Sequence, residues 1–399
     1  MSARTDEAFA RRKIIGVNEE TVTNVSSKDF PHHYTTSDQV EDPSWFLRKF
    51  QEGLEITFHE HKPFDTSFSL IGIDASIANA FRRIMIAEVP TLALEQVYIK
   101  NNTSIIHDEI LAQRLGLVPL AGDPAFLEDL KPFKYVEPGQ EGGSAPYWGN
   151  SIALELKVEC MWQEKGKERA RQGETDPKQL YNNSSIYAHQ LEFVPSKEQT
   201  DRFPACFIKP VNPEILIAKM RPGQKIDILA FAVKGIGEDH AKFSPVATAT
   251  YRMLPVIEIT RPILGADADK FARCFNRGVI TKSRVTEEEA SREGSGYEGH
   301  EGEMKAVVSD PFKDTVSREC LRHPEFKGKV RLGRAMDHFI FKVESTGQFT
   351  SDEVFLESVR ILKQKAKKMV VHLDNLVGPP KEKTGDVAQE QGSAMDTDG

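Results

Sequence analysis

The stretch GIDASIANAFRRIMIAEVPTLALEQVYIKNNTSIIHDEILAQRLGLVPL, from Gly72 to Leu120, says most about the fold. Asp74 is a good helix N-cap, because its short carboxylate can accept from the free N–H groups of a first turn. The helix it opens runs from Ala75 to about Glu88, and Pro90 ends it. Ile77, Phe81 and Ile84, with Ala80 and Met85 beside them, recur at helical spacing and lay one apolar stripe along it. Leu92, Leu94, Val97 and Ile99 then read as a strand. A short helix follows from about Asp108 to Leu115, with Gly116 expected at the C′ position.

Working outward, Leu54, Ile56 and Phe58 alternate with polar residues. Phe68, Leu70, Ile71 and Ile73 resume the pattern after the turn-forming His61-Lys62-Pro63-Phe64-Asp65, so a β-hairpin feeds the helix. The first 45 or so residues are polar and read as an extended arm. Downstream, residues 121–149 are rich in Pro and Gly and read as loop, Ser151–Met161 as a strand, and 165–183 as a polar excursion. Further strands are expected at 186–194, 215–219, 226–233, 246–254 and 256–259, with the turn Arg221-Pro222-Gly223-Gln224 joining the second to the third. After an acidic loop at 282–306 come one more strand, 338–343, and the longest helix, Asp352 to about Leu376. Phe355, Val359, Leu362, Ala366, Met369 (or Val370) and Leu373 give that helix a seam of about three heptads. Arg360, Lys363, Lys365, Lys367 and Lys368 on its later turns suit the negative end of the helix dipole.

Composition narrows the function. A chain of 399 residues with 39% hydrophobic and 28% charged content is long enough for two to three globular domains. No apolar run is long enough for a membrane span, and Met1–Lys13 lacks the apolar region of a secretory signal, so a reducing compartment is expected. The N-x-S/T sequons at Asn24, Asn101 and Asn183 carry no meaning there. Cys160, Cys206, Cys274 and Cys320 include no close pair of the kind structural zinc sites usually show, so no metal and no cofactor are expected. The net charge of -8 argues against a protein that grips nucleic acid. Residues 282–306 hold four basic and seven acidic residues and 379–399 hold two and five, so the folded body is near neutral, as suits a protein that meets other proteins.

Two motifs invite enzymatic readings. Lys234-Gly235-Ile236-Gly237 resembles a phosphate loop but lacks the G-x4-G-K-[ST] pattern. Asp239, His240 and Lys242 offer an acid, a base and an ammonium within four residues, with no nucleophile or second carboxylate placed beside them. A metabolic enzyme built on the 234–242 loop is therefore the rival from another class, and nucleotide affinity would favour it.

The Gly72–Leu120 segment resembles the alpha motif of RNA polymerase subunits. KGIGEDHAKFSPVATATYRMLP, from Lys234 to Pro255, and DHFIFKVESTG, from Asp337 to Gly347, resemble two further blocks of that family, and the likeness covers about residues 50–377. Within the family it is greatest to the larger alpha-like subunit of polymerases I and III. The polymerase II branch carries a zinc-binding cysteine cluster where residues 119–159 here have no cysteine.

The resemblance implies an α+β fold: a discontinuous dimerisation domain, residues 50–91 and 246–378, with a β-rich insertion domain at 92–245 between its halves. An arm at 1–49 and a disordered tail at 379–399 flank it. It also implies a non-catalytic assembly subunit in the nucleus, nucleolus included, that forms a heterodimer with a smaller alpha-like subunit. The second-largest polymerase subunit and small zinc-binding subunits would build onto that dimer, with no membrane and no sequence-specific nucleic-acid contact. The interface or its supporting core would use Ile77, Ala80, Phe81, Ile84 and Met85 with Phe355, Val359, Leu362, Ala366, Met369 and Leu373. Arg82 and Arg83, either a solvated edge or a contact to a large subunit, would join Lys234, Gly235, Gly237, His240 and Lys242 as docking residues.

Overall fold

Asp74 caps the expected helix: its carboxylate accepts from Ser76 N at 2.7 Å, and the helix spans Ala75–Ala87. The hairpin before it can turn into the helix because Gly72 has φ +83 and no side chain. A Cβ there would lie 2.1 Å from the carbonyl oxygen of Gly53. The computed structural model describes residues 14–25, 43–122, 124–133, 145–202 and 208–377.

The principal elements are β1 (Ile14–Val17), α1 (Pro43–Gly53), β2 (Glu55–His61), β3 (Asp65–Ile71), α2 (Ala75–Ala87), β4 (Thr91–Asn102), α3 (Asp108–Gly116), β5 (Ser151–Glu159), β6 (Lys225–Gly235), β7 (Val246–Ile259), β8 (Val330–Ser345) and α4 (Ser351–Val377). They make two main antiparallel sheets. In the first, β8 runs down the middle and pairs with β7 along most of its length. Its other side pairs with β1 through Leu332–Ala335 and then with β3 through His338–Glu344, and β3 pairs with the edge strand β2. In the second sheet β6 lies between β5 and β4, and a short strand at Glu192–Phe193 extends it beyond β5.

Period-two patterning decides which faces are buried. Ile226, Ile228, Ala230 and Ala232 of β6 point to one side and lose all solvent contact, packing with Ile152, Leu154 and Leu156 of β5 and Leu111 and Leu115 of α3. On the first sheet Phe68, Leu70, Phe339, Phe341 and Val343 face the layer made by α2 and α4. There Phe68 stacks on Phe341 at 5.3 Å, and Phe355 meets Phe68 edge-on at 4.9 Å. A third core forms where the helix Gly265–Arg273 covers the hairpin 280–284/304–308, with Phe271 at 5.2 Å from Phe326.

Several expected elements differ. Residues 186–194 form two short strands, 185–187 and 192–193, separated by a 3-10 turn at Ala188–Gln190, because each half pairs in a different sheet. The strands at 246–254 and 256–259 are one strand, β7, with a register shift at Met253/Pro255, where proline has no N–H to give the ladder. Gly116 is the last helical residue rather than a left-handed C′ residue. A Cβ on it would meet Leu94 O at 3.3 Å, so close packing of α3 on β4 selects glycine.

The 121–149 loop holds a helix at Pro124–Asp129, and Leu120–Gly122 pairs with Ile208–Pro210. The polar 165–183 excursion contains the helices Gly166–Arg171 and Pro177–Leu180. The acidic 282–306 segment is ordered too: its helix Glu287–Ser291 starts with a Thr286/Glu289 capping box, between two paired strands. The extended arm contributes β1 to the main sheet, and α1 crosses its expected end at residue 49. The rest of the arm (1–13 and 26–42), the tail at 379–399 and Cys206 lie outside the described residues.

Candidate subunit interface

Helix α4 changes character halfway along. Ser351, Val354, Phe355 and Ser358 are buried, and Ile361 and Leu362 are half-buried. From Lys363 to Leu376 every residue is exposed, a projection of about 21 Å at ~1.5 Å per residue. The apolar stripe does not stop with the burial. Leu373 lies eighteen residues beyond Phe355, about five full turns, so both share one face. At one end of this face Phe355 packs on Phe68 and Phe81, the latter at 5.3 Å. At the other end Met369, Leu373 and Leu376 stand 67%, 55% and 71% exposed. An amphipathic helix half covered by the described residues of its own chain and half bare presents an apolar surface suited to a second molecule.

Helix α2 lies beside the covered half. Ile84 and Met85 are core residues, whereas Ile77, Ala80 and Phe81 are half-buried toward α4 and the sheet. Lys365 on α4 pairs with Glu88 at the end of α2 (2.6 Å), tying the two helices where α4 leaves the core. The eleven interface candidates therefore divide. Ile84, Met85 and Phe355 support the interior; Ile77, Ala80, Phe81 and Leu362 sit at its margin; Val359, Ala366, Met369 and Leu373 face out.

The docking candidates cluster where the 234–242 loop meets the C-terminal end of α2. A Cβ on Gly237 would lie 2.2 Å from Ile86 O, and Glu238 N donates to Ala87 O at 2.9 Å, so the glycine lets the loop close over the helix end. Gly235 lies under the Phe243 ring, which a Cβ would meet at 2.6 Å. Lys234 Nζ donates to Leu127 O at 2.9 Å and reaches Leu130 O at 3.4 Å, and burial holds its pKa below the usual lysine range. Lys242 Nζ donates to Leu94 O at 2.9 Å and pairs with Glu95.

Both ammonium groups thus act inside the chain. The acid–base–ammonium trio does not converge either, since His240 Nδ1 accepts from Lys242 N at 3.1 Å while Lys242 Nζ turns to β4. Arg82 Nε and Nη2 donate to Asn79 Oδ1 at 3.2 and 2.9 Å, leaving Arg83 and His240 as the exposed members of the group. A cavity of about 420 Å³ opens beside the loop, walled by Leu94, Val97, Ala112, Leu117, His240 and Lys242.

Sequence reasoning missed two parts of the bare surface. Leu376 follows Leu373 at helical spacing, so extending the seam by one position would have found it. In the sequence edge strand β2 reads only as a hairpin arm, yet Ile56 and Phe58 stand on the same sheet face as Phe68 and Leu70, outside the cover of α2 and α4. Phe58 is 52% exposed. Alternation identifies a two-faced strand, but it cannot say whether the apolar face ends under a helix. Cys160, Cys274 and Cys320 are buried thiols with pKa values raised by burial, Cys320 to about 12. Among the described residues no group of three or more His, Cys, Asp or Glu is arranged to hold a metal ion.

Residues 67–366 match the RNA polymerase Rpb3/Rpb11 dimerisation domain. The chain is 46% identical to the DNA-directed RNA polymerases I and III subunit RPAC1 of Saccharomyces cerevisiae, over 89% of this chain and 96% of the relative. It is 40% identical to the subunit of the same name from Homo sapiens, over 92% and 96%. Similarity to the DNA-directed RNA polymerase II subunit rpb3 of Dictyostelium discoideum is lower, 30% over 78% and 92%.

Proposed function

This chain belongs to the RNA polymerase Rpb3/Rpb11 dimerisation-domain family, and from that membership we propose that it is the larger alpha-like subunit shared by nuclear RNA polymerases I and III. Its work is architectural. It pairs with a smaller alpha-like subunit, and the second-largest subunit and small zinc-binding subunits add to the pair in the nucleus, nucleolus included. Transcription chemistry stays in the large subunits, whose products in these two polymerases are rRNA, 5S rRNA and tRNA. The dimerising body is residues 50–91 with 246–378, and 92–245 form the insertion.

The observation that carries the reading is the bare half of α4, an apolar stripe continuous with the chain's own core. In a heterodimer the partner covers Met369, Leu373 and Leu376, and β2 offers further apolar surface at the sheet edge. Coexpression tests this. The chain alone is expected to aggregate, and the smaller alpha-like subunit to bring it into solution as a 1:1 complex. A monodisperse monomer by light scattering, indifferent to that subunit, would contradict it. The polymerase II alternative is separated by elemental analysis, since about one zinc per chain after dialysis would favour it.

A further inference from the structure

His59 sits at the register shift of β2, the extra residue between Phe58, which pairs with Phe68, and Glu60, which pairs with Ser67. A bulge re-aims the side chain it carries. Here it brings His59 Nε2 to 2.7 Å from Ser69 Oγ on β3. From the other side, His338 on β8 places its own Nε2 2.8 Å from the same oxygen. Ser69 is 1% exposed, so its hydroxyl has little access to water. Phe312 packs against both rings, at 4.7 Å from the exposed His59 and 5.9 Å from His338, and its segment is held down by Arg252, whose guanidinium donates to Phe312 O and Asp314 O.

One hydroxyl proton between two imidazoles sets a strict count. With both rings neutral, one Nε2–H donates to Ser69 Oγ and the serine donates to the bare Nε2 of the other ring, so the hydroxyl and both Nε2 atoms are satisfied. A proton taken up at the bare Nδ1 of the donor ring leaves this network whole, whereas a proton on the bare Nε2 of the acceptor ring turns both rings into donors and leaves the buried hydroxyl proton without an acceptor. A second sets two cations against one oxygen. We propose that His59, Ser69 and His338 form a protonation-sensitive clasp that holds edge strand β2 on the sheet, and that proton uptake by the imidazole pair loosens it.

The charges around the clasp come from every neighbouring element. Glu55 lies on β2, across Ile71 from His338 in register; Asp337 is on β8; Arg252 is on β7; and Asp310 and Lys313, 3.0 Å apart, flank Phe312. The two carboxylates nearest in effect, Asp337 and Glu55, favour the charged ring of His338, but burial outweighs them and holds its pKa below the usual histidine range. The His338 ring is therefore neutral near pH 7, and acid disturbs it. What loosens is the strand that carries the exposed Ile56 and Phe58, so the clasp controls how firmly that apolar edge is presented.

Hydrogen exchange by mass spectrometry on the full-length chain reads the clasp directly, using β6 as the internal reference for intrinsic rates. Between about pH 7.5 and about pH 5.5 the wild-type protection of residues 55–61, relative to β6, is expected to fall roughly tenfold. His59→Gln and His338→Gln keep one uncharged partner for Ser69 and should each flatten that dependence. Ser69→Ala, which removes the shared oxygen, should lower β2 protection already at neutral pH. An unchanged β2/β6 ratio in the wild type would overturn the proposal. So would Gln variants with the wild-type dependence, or a Ser69→Ala chain with wild-type protection.

Discussion

Replacing Met369 and Leu373 together by Asp puts two carboxylates on the bare half of α4, where the free chain has nothing to lose. Both side chains are more than half exposed, so folding should change by no more than about 0.5 kcal/mol each. Covering by a partner is another matter. Burial of a whole Met or Leu side chain contributes roughly 1.5–3 kcal/mol, and covering the part still bare therefore contributes about 1 kcal/mol or more per residue. Each Asp removes that term and asks the partner to desolvate a carboxylate, at a cost of at least about 1–3 kcal/mol even where a proton or water softens it. The total exceeds ~4 kcal/mol, or about a thousandfold in affinity. The double variant should melt like the wild type when held in solution by a fusion tag, yet fail to retain the smaller alpha-like subunit.

Ile84→Asp is the contrasting case. Ile84 is 3% exposed beneath α2, so its carboxylate enters the chain's own core. The expected result is loss of the fold, because the penalty rivals the roughly 5–15 kcal/mol stability of a domain. Lys367→Ala serves as the control on the opposite face, whereas Glu88 does not, since it pairs with Lys365. Retention of the partner at wild-type level by the Met369/Leu373 variant would refute the placement of the interface on α4.

Asp74→Ala should destabilise the chain by about 1 kcal/mol, read as a lower midpoint in thermal unfolding, because the Ser76 N–H loses its acceptor. The Cys320 thiol, raised to about 12 from 9.0, keeps its proton in the fold. Stability is therefore fully present below pH 9, where the unfolded thiol begins to ionise, and declines as pH rises from there toward about 12. Replacing Cys320 by Ala should flatten that alkaline limb in urea titrations, and an unchanged limb would assign it to other groups. Deleting residues 379–399 should leave partner capture unchanged, since this tail has little apolar surface to offset the entropy of ordering. Loss of the partner from a pull-down of the truncated chain would show that the tail binds.

What could be read from the sequence follows the range of the interactions involved. The α2 cap, the β2–β3 hairpin and the α4 stripe rest on neighbours within a turn or two, and their periods were visible. The split of 186–194 was not, because partners in two different sheets decide it and no local pattern names them. Gly116 and Gly237 were read as punctuation and as a docking loop. Their real constraint is contact with Leu94 O and Ile86 O, atoms twenty or more residues away. The acidic segment looked featureless because its order comes from a capping box and from pairing of its flanking strands, not from apolar periodicity.

At the interface, the residues were found but not their allotment. Phe355 and Leu373 share one face and look alike in the sequence. Only the end of the sheet beneath α4 decides that the first is core and the second is bare.

The central claim is membership in two polymerases through one dimer. Affinity purification of the tagged chain from its native cells, with mass spectrometry of what copurifies, tests it most directly. The expected eluate holds a smaller alpha-like subunit in equal amount, together with the largest and second-largest subunits of both RNA polymerase I and RNA polymerase III. Recovery of RNA polymerase II large subunits in their place, or of the chain free of any polymerase subunit, would contradict it.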